Sequence, residues 1–162
     1  MNTPIRAFVG LGSNLGDSIA TLHAAIDALS RLPGTRLSRA SRLYRSPAWG
    51  HTDQADFVNA VALLDTELAP RALLDGMLAI ERAFGRERRE RWGPRILDLD
   101  LLLYGDSIVV QPGLQVPHPH LHERAFALVP LVEVDPDAVI PGLGPARDVL
   151  SALACGPIQA VG

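Results

Sequence analysis

Along residues 7–104 the spacing of apolar residues switches between strand-like and helix-like patterns, and the order of those switches leaves few folds open. Ala7-Phe8-Val9-Gly10-Leu11-Gly12 reads as a short buried strand closing on glycine. Ser13 to Asp17 then turns into a helix whose Ile19, Leu22, Ile26 and Leu29 recur at spacings of three and four, until Pro33-Gly34 stops it. Residues 36–46 alternate loosely as a second, partly exposed strand, and Phe57 to Leu68 has the clearest strand composition. From about Pro70 a second helix carries Leu73, Met77, Ile80 and Phe84 on one stripe, with Gly85 as its C-terminal stop. Ile96 to Tyr104 is the fourth strand.

The order β-α-β-β-α-β predicts an α+β sandwich of the ferredoxin-like kind, with a four-stranded antiparallel sheet and two helices on one face. Residues 105–162 are rich in Pro and Gly and are expected to add short helices near 120–133 and 145–154. No repeat or linker divides the chain, so one domain over residues 1–162 is expected.

The charge pattern narrows the chemistry. All 15 basic residues are arginine, and the formal net charge is −3. A lysine Schiff base, a lysine general base and a P-loop lysine are therefore excluded. Six arginines, Arg82, Arg86, Arg88, Arg89, Arg91 and Arg95, fall between positions 82 and 95. Guanidinium groups favour planar, bidentate contact with phosphate or carboxylate. An acidic overall balance speaks against a nucleic-acid surface. The single Cys155 cannot form an internal disulfide, which fits a reducing compartment. The first residues lack the apolar centre of a signal peptide, and no apolar run approaches the roughly 18 residues of a membrane span. A cytoplasmic protein without membrane or nucleic-acid partners is the expectation.

Asp98 and Asp100 lie in Leu97-Asp98-Leu99-Asp100-Leu101. On a strand, positions i and i+2 share a face, so the carboxylates stand side by side while Leu97, Leu99 and Leu101 point into the core. Two adjacent carboxylates repel unless a positive charge sits between them. Oxygen-only ligation of this kind suits Mg²⁺ together with substrate phosphates. From the spacing alone, two solvated aspartates on an edge strand are an equal alternative. The arginines just upstream favour the metal reading, because Mg²⁺ beside guanidinium groups is how a polyphosphate is held for transfer. Solvated pairing of those arginines with Glu87 and Glu90 is the plainer alternative. Phe57 and Asn59 share a strand face, as a stacking surface and an amide reading a heterocycle edge would require. The loop 46–56 carries Trp49, and such loops often bind ligands. His118, His120 and His122 alternate, but the intervening prolines and the lack of a nearby Cys disfavour zinc.

Taken together, FVGLGSNLGD (8–17), YRSPAWGHTDQADFVNAV (44–61), IERAFGR (80–86), RWGPRILDLDLLLYGD (91–106) and VPHPHLHERAFALVPL (116–131) resemble the 6-hydroxymethyl-7,8-dihydropterin pyrophosphokinase family of folate biosynthesis. The resemblance implies the same ferredoxin-like fold, a monomer, and transfer of a pyrophosphoryl group from ATP to the pterin's hydroxymethyl oxygen with release of AMP. It implies two Mg²⁺ ions bridged by Asp98 and Asp100. It places the pterin between Phe57 and Phe126, its edge read by Asn59 and by the stretch Ser46, Pro47, Ala48 and Trp49. Arg86 and Arg95 match arginines on the triphosphate, and Arg88 and Trp92 match residues of a loop that covers the site. Glu81, Leu101, His118 and Arg124 match residues near the nucleotide. The sequence departs from the family where Phe57 replaces a common Tyr and His120 a common Arg. Two rival readings fit less well: a ferredoxin-like RNA-binding module, which needs aromatic residues spread over the sheet and a basic surface, and a D-x-D glycosyl transferase, for which the chain is short and lacks a nucleotide-sugar Rossmann pattern.

Overall fold

The computed structural model describes residues 3–14, 16–47, 56–85, 96–153 and 158–161. β1 (Ile5–Ser13) leads to α1 (Ser18–Ser30), which opens where the Asp17 carboxylate accepts the Ala20 N–H at 3.1 Å. β2 (Thr35–Ala40) and β3 (Leu43–Ser46) follow, then β4 (Phe57–Thr66). α2 (Pro70–Ala83) starts on a proline, whose missing N–H costs nothing in a first turn. It ends before Gly85, whose φ of +83° is the left-handed conformation that terminates helices. β5 (Asp98–Tyr104) completes the expected order.

The second strand of the sequence reading is two strands, both paired antiparallel to β4. Ser41 explains the break. Its N–H donates to the Val61 carbonyl at 2.9 Å, and its hydroxyl accepts the Val61 N–H, also at 2.9 Å. One residue thus satisfies both backbone groups of its partner while the strand bends.

With Gln159–Val161 as its last strand, β10, the sheet runs β10-β3-β4-β1-β5, with β2 also on β4, and its central pairings are antiparallel. The elements between β5 and β10 are β6 (Val109–Gln111), β7 (Leu114–Val116), α3 (Ala125–Val134), β8 (Val139–Ile140), β9 (Gly144–Pro145) and α4 (Ala146–Ser151). The short helices expected in the C-terminal third are α3 and α4. The β6–β7 and β8–β9 hairpins and the edge strand β10 were not anticipated.

Each face of the sheet has its own core. Ala7, Val9 and Leu11 of β1 and Leu99 and Leu101 of β5 pack under Leu22, Ile26 and Leu29 of α1 and Leu73, Met77 and Ile80 of α2. On the other face Phe8, Val61, Leu63, Leu102 and Leu103 pack under Leu128, Leu131 and Val134 of α3. A register shift makes this possible. Val9 pairs with Leu101 but Phe8 pairs with Leu103, so Leu102 is an extra residue and both it and Leu103 turn to the α3 side. The run Leu101-Leu102-Leu103 therefore feeds two cores. Among the described residues α3 packs over the Phe8 and Leu103 end of this face, and at the Ser13 end of β1 stand Gly12, Asn59 and Asp98.

Candidate active site

Cross-strand register assembles the open end. Gly12 of β1 pairs with Asn59 of β4 on one side and Asp98 of β5 on the other. One step along, Gly10 pairs with Val61 and with Asp100. Asn59 in turn pairs with Tyr44 of β3, and Ser46 with Phe57. Because side chains alternate, Phe57, Asn59, Asp98 and Asp100 all stand on the α3 face. Between the amide and the carboxylates the floor is glycine. A methyl group added at Gly12 would come within 2.8 Å of the Asn59 amide nitrogen, so the missing Cβ is what lets the amide lie flat there.

Asn59 donates its Nδ2 to the Leu11 carbonyl at 3.4 Å, while its Oδ1 is buried with no hydrogen-bond partner among the described residues. A buried orphan acceptor costs about 1–3 kcal/mol. An acceptor in this state is able to take an N–H donor from a bound molecule.

Asp100 is 45% exposed and lies between two groups carried by the C-terminal third. Arg124 Nη1 is 3.6 Å from its Oδ2, and His118 Nε2 is 3.7 Å from its Oδ1. The Arg124 guanidinium also lies 5.7 Å over the Phe126 ring, which ties the first aromatic of α3 to the carboxylate. His118 accepts the His120 N–H on Nδ1 at 3.2 Å, so the neutral ring carries its proton on Nε2, toward Asp100. Burial lowers the His118 pKa; the Asp100 carboxylate pulls it up, and Arg124 and His120 push it down again. The net direction is downward, which favours the neutral ring. The three alternating histidines form no metal cage: His118 faces Asp100, whereas His120 and His122 each face Glu123.

A cavity of about 330 Å³ opens along the free edge of β5, lined by Leu74, Leu99, Leu101, Gln111, Leu114 and His118 among others, with Asp100 at its rim. Its size falls in the range of small-ligand sites, roughly 300–1,000 Å³. Two attachments frame it. At one end the Glu81 carboxylate, only 2% exposed, accepts the Leu99 N–H at 2.8 Å. At the other, the His118 N–H donates to the Leu102 carbonyl at 3.0 Å. Leu101 keeps its side chain in the α1–α2 core, so toward the cavity it presents the strand edge. The β6–β7 hairpin forms the outer wall and is held to α2 by Arg71, whose Nη2 donates to the Pro112 carbonyl at 2.8 Å and to Gln111 at 3.3 Å.

The structure therefore brings together Asp98, Asp100, Asn59, Phe57, His118, Arg124 and Phe126, with Ser46 and Pro47 at the neighbouring end of β3 and Glu81 behind β5. Ala48, Trp49, Arg86, Arg88, Trp92 and Arg95 lie outside the described residues. The cavity-lining residues of α2 and the hairpin escaped sequence reasoning, because nothing local marks Leu74 or Gln111 as neighbours of β5. Among the described residues, no three His, Cys, Asp or Glu side chains are gathered as a metal cage. Two half-exposed carboxylates above a glycine floor are what the site offers, and that donor set fits Mg²⁺, which takes one or two carboxylates and fills its remaining positions with water and phosphate oxygens.

A split βαβ sandwich with Asp100 in the lining of such a cavity and Asp98 on the same face of β5 is an arrangement able to hold a phosphate-bearing substrate. A family model described as 7,8-dihydro-6-hydroxymethylpterin-pyrophosphokinase (HPPK) matches residues 8–136. The chain belongs to this family, and with it to the diphosphotransferase enzymes. A protein of Methylorubrum extorquens named 2-amino-4-hydroxy-6-hydroxymethyldihydropteridine pyrophosphokinase is 47% identical over 156 residues, covering 96% of this chain and 98% of that protein. One of the same name from Pseudomonas aeruginosa is 48% identical over 96% of this chain and 94% of its own length. Among solved structures, wild-type HPPK-DHPS of Plasmodium falciparum shares the fold with a TM-score of 0.73 at 12% identity, over 93% of this chain. This chain spans 45% of that protein and 43% of another HPPK-DHPS solved with substrates, where the TM-score is 0.71. No helix among the described residues is long and apolar enough to cross a membrane.

Proposed function

We propose that this chain transfers the pyrophosphoryl group of ATP to the hydroxymethyl group of 6-hydroxymethyl-7,8-dihydropterin, releasing AMP, as a step of folate biosynthesis. The observation that carries the reading is the row Asn59–Gly12–Asp98, which sets an orphaned, buried amide oxygen one glycine away from a carboxylate pair. A pterin edge presents N–H donors that would satisfy that oxygen, and its hydroxymethyl arm would then reach toward Asp98 and Asp100.

In this reading the pterin stacks between Phe57 and Phe126, with Ser46 to Trp49 along its edge. The adenosine occupies the cavity at the β5 edge, against Leu74, Leu99, Leu101 and Leu114, and the triphosphate runs past His118 and Arg124 to the carboxylates. Two Mg²⁺ ions held by Asp98 and Asp100 would neutralise the triphosphate and lower the pKa of the attacking hydroxyl. The hydroxymethyl oxygen bonds to the β-phosphorus as the bond from that phosphorus to the α,β-bridging oxygen breaks; the bridging oxygen leaves with AMP and the hydroxyl proton passes to solvent. Little covalent help is needed from the protein beyond in-line positioning and charge stabilisation. Arg124 and neutral His118 supply hydrogen bonds at the phosphates. Glu81 acts from behind, holding the Leu99 N–H and with it the pitch of β5 between the two aspartates. Arg86 and Arg95 are assigned to the triphosphate, and Arg88 and Trp92 to closure over it. The protein works as one domain, as a monomer in the cytoplasm.

Incubation with ATP, Mg²⁺ and the pterin tests the reading. AMP and the pterin diphosphate are expected in equal amounts; ADP as the nucleotide product would overturn it.

A further inference from the structure

We propose that Glu133, gripped by Arg42 and Tyr44, is a positioning residue for the pterin: it sets the rotation of α3 about its own axis and so the direction in which Phe126 is presented. The inference rests on the pterin reading above and names a determinant outside the site itself.

The reason begins with the sequence of α3, Ala125-Phe126-Ala127-Leu128-Val129-Pro130-Leu131-Val132-Glu133-Val134. Every residue but one is apolar. A helix with a single apolar stripe has one favourable rotation on a sheet, but a helix that is apolar all round can bury almost any side at similar gain. Burial alone therefore specifies the azimuth of α3 weakly. A directional polar contact can settle it, as single polar positions fix register in otherwise apolar helix packings.

Glu133 supplies that contact. Its Oε2 accepts the Arg42 backbone N–H at 2.8 Å, and its Oε1 accepts the Tyr44 hydroxyl and the Arg42 Nε at 3.4 Å. Three donors on two oxygens define both the place and the orientation of the carboxylate. The grip is itself braced: Arg42 Nη2 donates to the Tyr44 hydroxyl oxygen at 3.3 Å, and its guanidinium lies 5.7 Å from the centre of the Tyr44 ring. Tyr44 is only 7% exposed and pairs across the sheet with Asn59, so the anchor stands in the same row as the pterin-reading amide.

Glu133 and Phe126 are seven residues apart, about two helical turns, and so lie on one side of α3. Any rotation that frees the carboxylate swings the Phe126 ring through the same angle, away from the side of the slot that Phe57 closes. The consequence is selective. The adenosine cavity is lined from α2, β5, the β6–β7 hairpin and the His118–Pro119 segment, none of it from α3; of the groups assigned to the phosphates, only Arg124, the residue that opens α3, is carried by that helix.

Steady-state kinetics of Glu133→Leu, Glu133→Gln and Tyr44→Phe, with wild type alongside, test this. Glu133→Leu should raise the pterin KM about tenfold and the ATP KM by clearly less, the smaller rise coming through Arg124. Glu133→Gln, which keeps an acceptor, should recover much of the loss, and Tyr44→Phe should fall between. The Phe126 ring resonances, followed by NMR in the unliganded proteins, should shift in the same order. Equal rises in both KM values, or an unchanged pterin KM with unmoved Phe126 resonances, would overturn the proposal. Absence of AMP release by wild type would instead remove the pterin reading, and the Phe126 resonances would still decide whether Glu133 sets the helix. Should Glu133→Leu fail to fold, the two milder variants carry the comparison.

Discussion

On the α1–α2 side of the sheet, β1 presents Ala7, Val9 and Leu11 and β5 presents Leu99 and Leu101, and all five are buried in one cluster. On the α3 side the same two strands present Phe8, Gly10 and Gly12, and Asp98, Asp100 and Leu102. The first face is apolar along these five residues and turns polar at Ser13, whose hydroxyl donates to that of Ser18 at 3.1 Å. The second changes character halfway, from a core beneath Leu128 and Leu131 to glycine and carboxylate at the open end. Because alternate side chains go to opposite faces, one strand can serve as scaffold on one side and site on the other without compromise between them. Stability and chemistry are then separable by residue parity, and that separation can be attacked from either side.

The largest effect expected is on the open face. Asp98→Ala or Asp100→Ala should lower turnover by about a thousandfold or more, with a melting temperature close to wild type. Quenched-flow measurement of AMP at saturating Mg²⁺ checks this, and near-normal release would show that the carboxylate pair is not the centre of the chemistry. The mirror experiment is on the closed face. Leu64 of β4 is fully buried opposite Ala7. Leu64→Ala should cost about 2–5 kcal/mol in denaturant unfolding while both KM values stay unchanged for the folded protein.

A smaller and more selective effect is expected at the seam. Gly12→Ala forces a methyl group to within 2.8 Å of the Asn59 amide. The amide must turn, and the pterin KM should rise about tenfold with little change in the ATP KM or in stability. A rise confined to ATP would mean that the row does not read the pterin.

The smallest effect is electrostatic and lies where α3 meets the sheet. Burial pushes the Glu133 carboxyl up, but its hydrogen bonds from Tyr44 and Arg42 and the Arg42 charge hold it below its ordinary value. A depressed folded-state pKa means that the unfolded chain binds the proton more readily, so this contribution is present above the unfolded value and is lost as pH falls through the folded one. Between pH about 5 and 3 the thermal stability of wild type should therefore fall more steeply than that of Glu133→Gln. Parallel curves would show that the grip on Glu133 is not charge-assisted.

Much of this organisation was legible beforehand. The turn from Ser13 to Asp17 into a helix, Pro70 at a helix start, Gly85 at its end, and the alternation of Leu97, Asp98, Leu99, Asp100 and Leu101 are signals carried within a few residues of where they act. The five stretches between residues 8 and 131, taken together, also point to the family whose model matches residues 8–136. Three features were not legible. Ser41 splits the second strand by bonding to Val61, twenty residues on. The extra residue Leu102 turns a run of leucines toward two cores, which a regular alternation would not do. The cavity at the β5 edge is closed by a hairpin that read only as a Pro- and Gly-rich stretch.

What the amino-acid sequence determined by itself is the list of elements, their order and the parity of the site residues, because backbone periodicity and caps act over one or two turns. Only the tertiary structure decided which of those residues meet. The Arg42 N–H finds Glu133 across 91 positions, and Arg124 and His118 arrive at Asp100 from a separate segment. Such contacts depend on register between strands and on how an all-apolar helix is turned, and neither is written in the local pattern of any one segment.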